Sequence, residues 1–310
     1  MEYAVGIDIG GTKTAIGIVS VEGQVVTKQV LPTDLTISPA MMIDRICDTV
    51  QQMMKDSGLA PESFSGIGIG APGPLDTSKG MIACPPNLPE WVDIPVVEMF
   101  QAKFDMPIRM ENDATAGALA EKWKGAAQAN ENFIYLTIST GIGAGIYVDG
   151  KLATGARGNA GDVGHMIIDP SYGTCVCGQK GCFEYIASGT GIARKGSELM
   201  GEDLTTKQIF QLYEDKHPVI EPFIHDIYTY IGMGCVSLIN LFDPEKIVIG
   251  GGVSQVGESL FQGVQQYVQQ FALNTAGRKT EIVPASLNQD AGLIGAAALI
   301  LSTPRGVTKS

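Results

Sequence analysis

The stretch YAVGIDIGGTKTAIGIVSVEGQ, residues 3–24, returns in an imperfect and slightly shorter form as IYLTISTGIGAGIYVDGK, residues 134–151. Each copy reads as an apolar strand, a glycine-rich turn, an alternating strand and an acidic residue before glycine. Asp8-Ile9-Gly10 answers Ser139-Thr140-Gly141, and Glu22-Gly23 answers Asp149-Gly150. A repeat of this kind points to two related domains, each opening on a glycine-turned hairpin. The alternative is two unrelated hairpins that share turn chemistry. The length of 310 residues suits two domains at about 150 residues each.

The pattern between the repeats predicts alternating strands and helices. Strands are expected over Tyr3–Ile9, Thr12–Ser20, Gln24–Leu31, Ile67–Gly70 and Ile108–Glu111, and again from Phe133. A helix is expected over Ser38–Asp56, with Ser38 as cap, Pro39 in the first turn and Gly58 past its end. Ala114–Lys124 reads as a second helix. The latter half is more helical, near Gly191–Met200, Thr206–Lys216, Pro218–Phe242 and Glu258–Phe271, with strands at Lys246–Ile249 and Glu281–Pro284. Asp290 reads as the cap of a last helix, Ala291–Leu301, and the tail PRGVTKS is expected to be mobile.

Composition removes several function classes. The net charge of -12 offers no basic surface to neutralise nucleic-acid phosphates. The opening MEYAVGIDIG has no basic signal-peptide region, and the apolar stretch Gly292–Leu301 is too short to cross a bilayer. The expectation is a soluble cytoplasmic protein without nucleic-acid or membrane partners.

Four constellations carry chemistry. The first is Asp8-Ile9-Gly10-Gly11-Thr12-Lys13. A strand rather than a helix follows it, which excludes a Walker loop and a dinucleotide fingerprint. It is a plain hairpin or a turn whose amides face phosphate. Thr140-Gly141-Ile142-Gly143 and Gly250-Gly251-Gly252 repeat the theme, so three glycine turns can surround one nucleotide. The second is Glu111-Asn112-Asp113 before a helix. Asn112 or Asp113 caps that helix, or Asp113 is a general base that takes a hydroxyl proton in phosphoryl transfer. The third is His165, Cys175, Cys177 and Cys182. One imidazole and three thiolates complete a tetrahedral zinc set with no open position, so the metal is structural. Buried free thiols are the alternative, and the interleaved Gly173, Gly178 and Gly181 count against it. Cys47, Cys84 and Cys235 read as small core residues. The fourth is a polar set around the knuckle, Asn87, Asp162, His165 and Glu184, of the kind that counts sugar hydroxyls. Trp91 reads as a packing residue.

Taken together, GIDIGGTKTAIGI, GIGAPGPLD, PPNL, ENDATAGALAE, TISTGIGAGI, GARGNAGDVGH, CVCGQKGCFE, IGGGVS and DAGLIGAA resemble the ROK family of sugar kinases and sugar-responsive repressors, most of all its bacterial glucokinases. The resemblance covers Val5 to about Ile300. It implies an α/β fold of the actin-like ATPase (ribonuclease H-like) type, duplicated into two domains with a cleft between them. The implied division is 1–117 plus 290–310 for the first domain and 118–289 for the second. It implies ATP, magnesium and a structural zinc as cofactors, a hexose as partner and a homodimer. By resemblance, Gly10, Gly11, Thr12 and Lys13 face the ATP phosphates, and Asp8 lies near magnesium. Thr140, Gly141 and Gly143 form the second phosphate turn, and Gly251 and Gly252 approach adenosine. Asn87, Asn112, Asp113, Asp162, His165 and Glu184 hold the sugar, with Asp113 as base to its 6-hydroxyl. His165, Cys175, Cys177 and Cys182 hold zinc. The implied reaction is glucose to glucose 6-phosphate in carbohydrate metabolism. The alternatives are an N-acyl hexosamine, allose or fructose as substrate, or a non-catalytic sugar-sensing regulator. The His-Pro-Glu of fructokinase-like members is absent and the cysteine knuckle lacking in β-glucoside kinases is present; with the first strand expected from Tyr3, a DNA-binding domain of the repressors' kind is not expected. One departure stands out: Asp162 occupies a position where the family usually has Glu.

Overall fold

The computed structural model describes residues 2–287 and 290–302. The tail 304–310 lies outside the described residues. The described chain divides into two compact units: residues 2–128, 153–160 and 290–302 form the first, and 129–152 and 161–287 the second.

In unit 1, β1 (Tyr3–Ile9), β2 (Lys13–Ser20) and β3 (Val25–Pro32) form an antiparallel meander. Helix α1 (Pro39–Asp56) leads to β4 (Phe64–Ala71), and a small hairpin follows, β5 (Leu75–Asp76) with β6 (Met81–Ile82). Then come α2 (Val96–Gln101), β7 (Ile108–Asn112) and α3 (Asp113–Lys124). The sheet order is β3-β2-β1-β4-β7, with β1, β4 and β7 parallel. The period-two alternation of β1 sorts its side chains. Val5, Ile7 and Ile9 enter the core with Met42, Ile43, Ile46 and Val50 of α1, while Ala4 joins a separate cluster on the other face. Helix α1 starts where its sequence says it should: Ser38 Oγ accepts the Met41 amide at 3.3 Å and Pro39 follows.

Unit 2 repeats the plan. Strands β8 (Phe133–Ile138), β9 (Ile142–Val148) and β10 (Lys151–Leu152) form the meander. Four helices follow, α4 (Phe183–Ala187), α5 (Gly189–Met200), α6 (Thr206–Glu214) and α7 (Ile220–Phe242). Next come β11 (Lys246–Gly250), α8 (Glu258–Phe271) and β12 (Glu281–Pro284). The order is β10-β9-β8-β11-β12, with β8, β11 and β12 parallel. Strand order and sense match unit 1 step for step, so the repeat is a duplication of topology and not of turn chemistry alone. This is the duplicated ribonuclease H-like plan of actin-like ATPases.

The last helix, α9 (Ala291–Leu301), follows β12 in sequence but belongs to unit 1, where it packs on β1, β4 and α3. It is apolar almost all round and buried, as a helix between two layers must be. A Cβ on Gly68 of β4 would lie 1.7 Å from the Ala296 carbonyl oxygen, so only glycine lets the helix come this close. Two expectations change here. The first domain does not stop at residue 117, because that cut would divide α3, whose Ala116 carbonyl sits against Gly295 of α9; residues 118–128 and 153–160 stay with unit 1. Asp290 precedes α9 but makes no side-chain cap; its carboxylate pairs with Lys28 of β3 instead. Among the described residues, no helix is long and apolar enough to cross a membrane.

Candidate active site

Parallel strands deliver their C-terminal ends to one edge of a sheet, where ligands of open α/β folds bind. In unit 1 the register sets Asp8, Gly70 and Glu111 side by side on β1, β4 and β7. The turn Gly10–Lys13 leaves this edge and is closed by the Gly10 amide donating to the Lys13 carbonyl at 3.0 Å. Asn87 packs directly on it: a Cβ on Gly11 would lie 2.9 Å from the Asn87 carbonyl oxygen and 3.3 Å from its Nδ2. Asn112 is the N-cap of α3, its Oδ1 accepting the amides of Ala114 at 3.0 Å and Thr115 at 3.3 Å. Asp113 therefore occupies the first helical position, and a Cβ on Gly70 would come 3.8 Å from its Cα. Burial pushes the Asp8 carboxyl above its ordinary range, against the pull of Lys13 and Lys28. That carboxylate faces Gly292 at the start of α9; a Cβ there would lie 2.4 Å from its Oδ2. Unit 1 thus gathers an amide turn, two lysines, a carboxylate edge and Asp113.

In unit 2 the hairpin closes one residue earlier. The Ser139 amide donates to the Gly141 carbonyl at 2.8 Å, and Ile138 already pairs with Ile142. Gly143 therefore lies inside β9 opposite Thr137 and not in the turn, which corrects its expected place. Glu184, in the first turn of α4, accepts the Ile142 amide at 2.8 Å. Its Oε2 fills the space a Cβ on Gly141 would need, at 2.4 Å. Gly251 has φ of 88° and abuts the Ile138 carbonyl at 2.3 Å from a would-be Cβ, so this position demands glycine. A pocket of about 1010 Å³ lies within unit 2, lined among others by Thr140, Thr190, Arg194, Lys207, Phe210 and Gly252. The sequence reading reached Thr140 and Gly252. It missed the α5 and α6 residues, whose glycines and charges, Gly189, Arg194 and Lys207 among them, read as ordinary helix content.

The cysteine knuckle is a short hairpin. Thr174 bridges Lys180, the Cys175 amide donates to the Gln179 carbonyl at 2.8 Å, and Gly178 and Gly181 take positive φ. This folding brings one ligand atom from each of His165, Cys175, Cys177 and Cys182 within 4.8 Å of all the others. Cys177 Sγ lies 3.5 Å from Cys182 Sγ, and Cys175 Sγ 3.7 Å from His165 Nδ1. Zinc–sulfur bonds of about 2.3 Å set tetrahedral edges of about 3.8 Å, so this donor set fits the ion. The Gln179 amide lowers the Cys177 thiol to about 7, whereas burial holds Cys182 at about 12. Asp162 and His165 flank a single 3-10 turn, with the His165 amide donating to the Asp162 carbonyl at 3.1 Å. Burial pushes the Asp162 carboxyl up and His165 pulls it back. Trp91, Cys47 and Cys235 are buried as expected; Cys84 is exposed, because it lies in the loop leading to Pro85-Pro86.

Comparison with known proteins places these features. The model of the ROK family matches residues 4–303. The glucokinase of Halalkalibacterium halodurans is 32% identical over 99% of this chain and 97% of its own. The xylose repressor of Caldicellulosiruptor bescii is 29% identical over 96% of this chain and 78% of its own. A ROK family glucokinase from Streptomyces griseus, solved with glucose and AMPPNP, superposes with a TM-score of 0.82 at 29% identity, covering 97% of this chain and 100% of that one.

Proposed function

This chain belongs to the ROK family, and on that premise we propose that it is an ATP-dependent hexose kinase that converts glucose to glucose 6-phosphate. The observation that carries this is the edge of unit 1, where Asp113 at the head of α3 shares one strand edge with the Gly10–Lys13 turn. A base for the hydroxyl and a row of amides for phosphate are what phosphoryl transfer needs from a protein, since catalysis there is mostly positioning and charge stabilisation. Asn112 is the N-cap, accepting the Ala114 and Thr115 amides, and Asp113 Oδ1 also accepts the Ala114 amide at 2.7 Å, which fixes the carboxylate at the head of the helix.

Asp113 takes the proton of the 6-hydroxyl as its oxygen attacks the γ-phosphorus in line. Gly10, Gly11, Thr12 and Lys13 receive the phosphates with Thr140 and Gly141, and Asp8 would help hold magnesium, which would neutralise phosphate charge. The adenosine occupies the pocket of unit 2 beside Gly251 and Gly252. The hexose is held by Asn87, Asn112, Asp113, Asp162, His165 and Glu184. His165 turns Nδ1 toward the thiols, so with zinc bound its Nε2 keeps the proton and donates to a sugar hydroxyl. Cys175, Cys177, Cys182 and His165 would hold a zinc ion, which when bound would neutralise the thiolates, and they take no part in transfer.

The test is steady-state ATP turnover against a panel of glucose, mannose, fructose, allose and the N-acetyl hexosamines. Glucose gives the highest kcat/KM under this reading. Turnover with none of them, alongside tight hexose binding, would turn the assignment to a sugar-sensing regulator.

A further inference from the structure

The two glycine turns share a device that the roles assigned above leave unused. In unit 1, Thr33 follows β3 and is buried. Its amide donates to the Thr12 carbonyl at 3.0 Å, and its hydroxyl donates to the Gly10 carbonyl at 2.7 Å. Thr14 Oγ1 lies 3.0 Å from Thr33 Oγ1. Thr33 has one hydroxyl proton and spends it on Gly10, so Thr14 is the donor in that pair. In unit 2, the Gly189 amide donates to the Ser139 carbonyl at 2.7 Å, and the Thr190 hydroxyl donates to the Thr140 carbonyl at 2.9 Å. Each turn therefore has two carbonyls tied back by one amide and one threonine hydroxyl.

The geometry of the peptide gives this a consequence. In a planar trans peptide the C=O and the following N–H point in opposite directions. Tying back Gly10 O and Thr12 O turns the amides of Gly11 and Lys13 to the other side of the turn. Tying back Ser139 O and Thr140 O does the same for the amides of Thr140 and Gly141. A carbonyl left to rotate would put the negative end of its dipole where an anion is to bind, and glycine turns rotate readily.

We propose that Thr33 is a positioning residue for phosphate: it sets the donor face of the first turn from behind, without touching the ligand, as Thr190 does for the second. This rests on the kinase reading of the turns. The ligand class is the polyphosphate of a nucleoside triphosphate.

Thr33→Val keeps the shape and the amide but removes the hydroxyl. It strands the Gly10 carbonyl and the Thr14 hydroxyl, an effect that buried, unmade hydrogen bonds make costly. Calorimetry with magnesium and a non-hydrolysable ATP analogue should show the Kd rising about tenfold, with hexose affinity unchanged and Thr33→Ser restoring the wild-type value. Thr14→Val, which removes only the donor to Thr33, should have the smaller effect of the two. A folded Thr33→Val that binds the analogue as wild type does, or a loss that Thr33→Ser leaves in place, overturns the inference while the kinase reading stands. Wild-type protein that binds no nucleotide overturns both. Should Thr33→Val not fold, Thr33→Cys carries the same test, because a thiol donates only weakly.

Discussion

The first and second glycine turns stand on the same frame of five strands and are backed by different partners. Behind the first lie Thr33, the Asn87 loop and a strand edge rich in acid groups, Asp8, Glu111 and Asp113. Behind the second lie Glu184, Thr190 and the knuckle of His165 and the cysteines. The difference arises in the crossovers. Between Pro32 and Phe64 unit 1 inserts one helix; between Leu152 and Lys246 unit 2 inserts the knuckle and four helices. What the duplication copied is a scaffold for oriented amides. What diverged is the inserted chain, and on the function proposed above unit 1 carries the group that moves a proton and unit 2 the groups that hold.

If that division is right, the harshest loss comes from unit 1. Asp113→Asn preserves size and the α3 start, since Asn112 is the cap, and removes only basicity. kcat should fall by roughly two to four orders of magnitude, with hexose Kd and Tm close to wild type. Near-normal turnover would mean that proton transfer lies elsewhere and that the two units do not divide as described.

Cys177→Ser attacks the holding side. Elemental analysis after gel filtration should find one zinc per wild-type chain and much less in the variant, because two thiolates and an imidazole bind the ion incompletely. Activity should drop about 10- to 100-fold, mainly through hexose KM, as His165 and the segment around Asp162 lose their anchor. Metal-free protein with full activity would break the comparison from this end.

The frame was largely legible in the sequence. Most strands and long helices sit within a residue or two of their expected ends, because period, caps and glycines agreed there: α8, β12 and α9 match to the residue, and Ser38 and Pro39 open α1, whereas β4 begins at Phe64, three residues before its expected start. Short elements were not legible. Helices α2 and α4 and the β5–β6 hairpin span too few residues to show a period. Tertiary competition also hid things. Asp290 has the right identity for a cap, but Lys28, distant in sequence, takes its carboxylate. Gly143 looked like part of a turn because the glycines run on past the point where the hairpin has closed. In the site, residues carried by local runs were readable, including the four side chains that gather as the His165, Cys175, Cys177 and Cys182 cluster. Thr33 was not, since its bonds reach back some twenty residues and nothing beside it in sequence marks them.

A sharper test of unit 2 is Gly252→Ala. Gly251 beside it is locked against Ile138, but a Cβ on Gly252 meets nothing in the protein, and its φ of -64° suits alanine. The fold should be indifferent to the change. If adenosine lies in the pocket that Gly252 lines, the added methyl should weaken nucleotide binding by about three- to tenfold through a lost close approach, leaving Tm and hexose binding as they were. Unchanged nucleotide affinity would move the adenosine away from this glycine run and leave the pocket without that role.

The smallest expected effect concerns Asp162, where the resemblance to the family leads to an expected Glu. The backbone there has little freedom to compensate for a shorter side chain. On one side the Ala144 amide donates to the Gly161 carbonyl at 2.9 Å, and two residues on a Cβ on Gly164 would lie 2.3 Å from the Ile142 carbonyl oxygen, so the segment lies close against β9. The carboxylate, short by about one carbon–carbon bond of 1.5 Å, leaves a gap. A water can relay the same hydroxyl at modest cost, or the gap can admit a larger substituent such as a 2-acetamido group. The first keeps glucose as substrate. Asp162→Glu should then hold or raise glucose kcat/KM by no more than about threefold, and N-acetylglucosamine and N-acetylmannosamine should be poor substrates of both forms. The second predicts the reverse: wild type turns over an N-acetyl sugar better than glucose, and Asp162→Glu closes the gap and loses that activity. In that case the substrate would change while Asp113 and the two turns kept their roles, because specificity would lie with the holding unit and chemistry with the other.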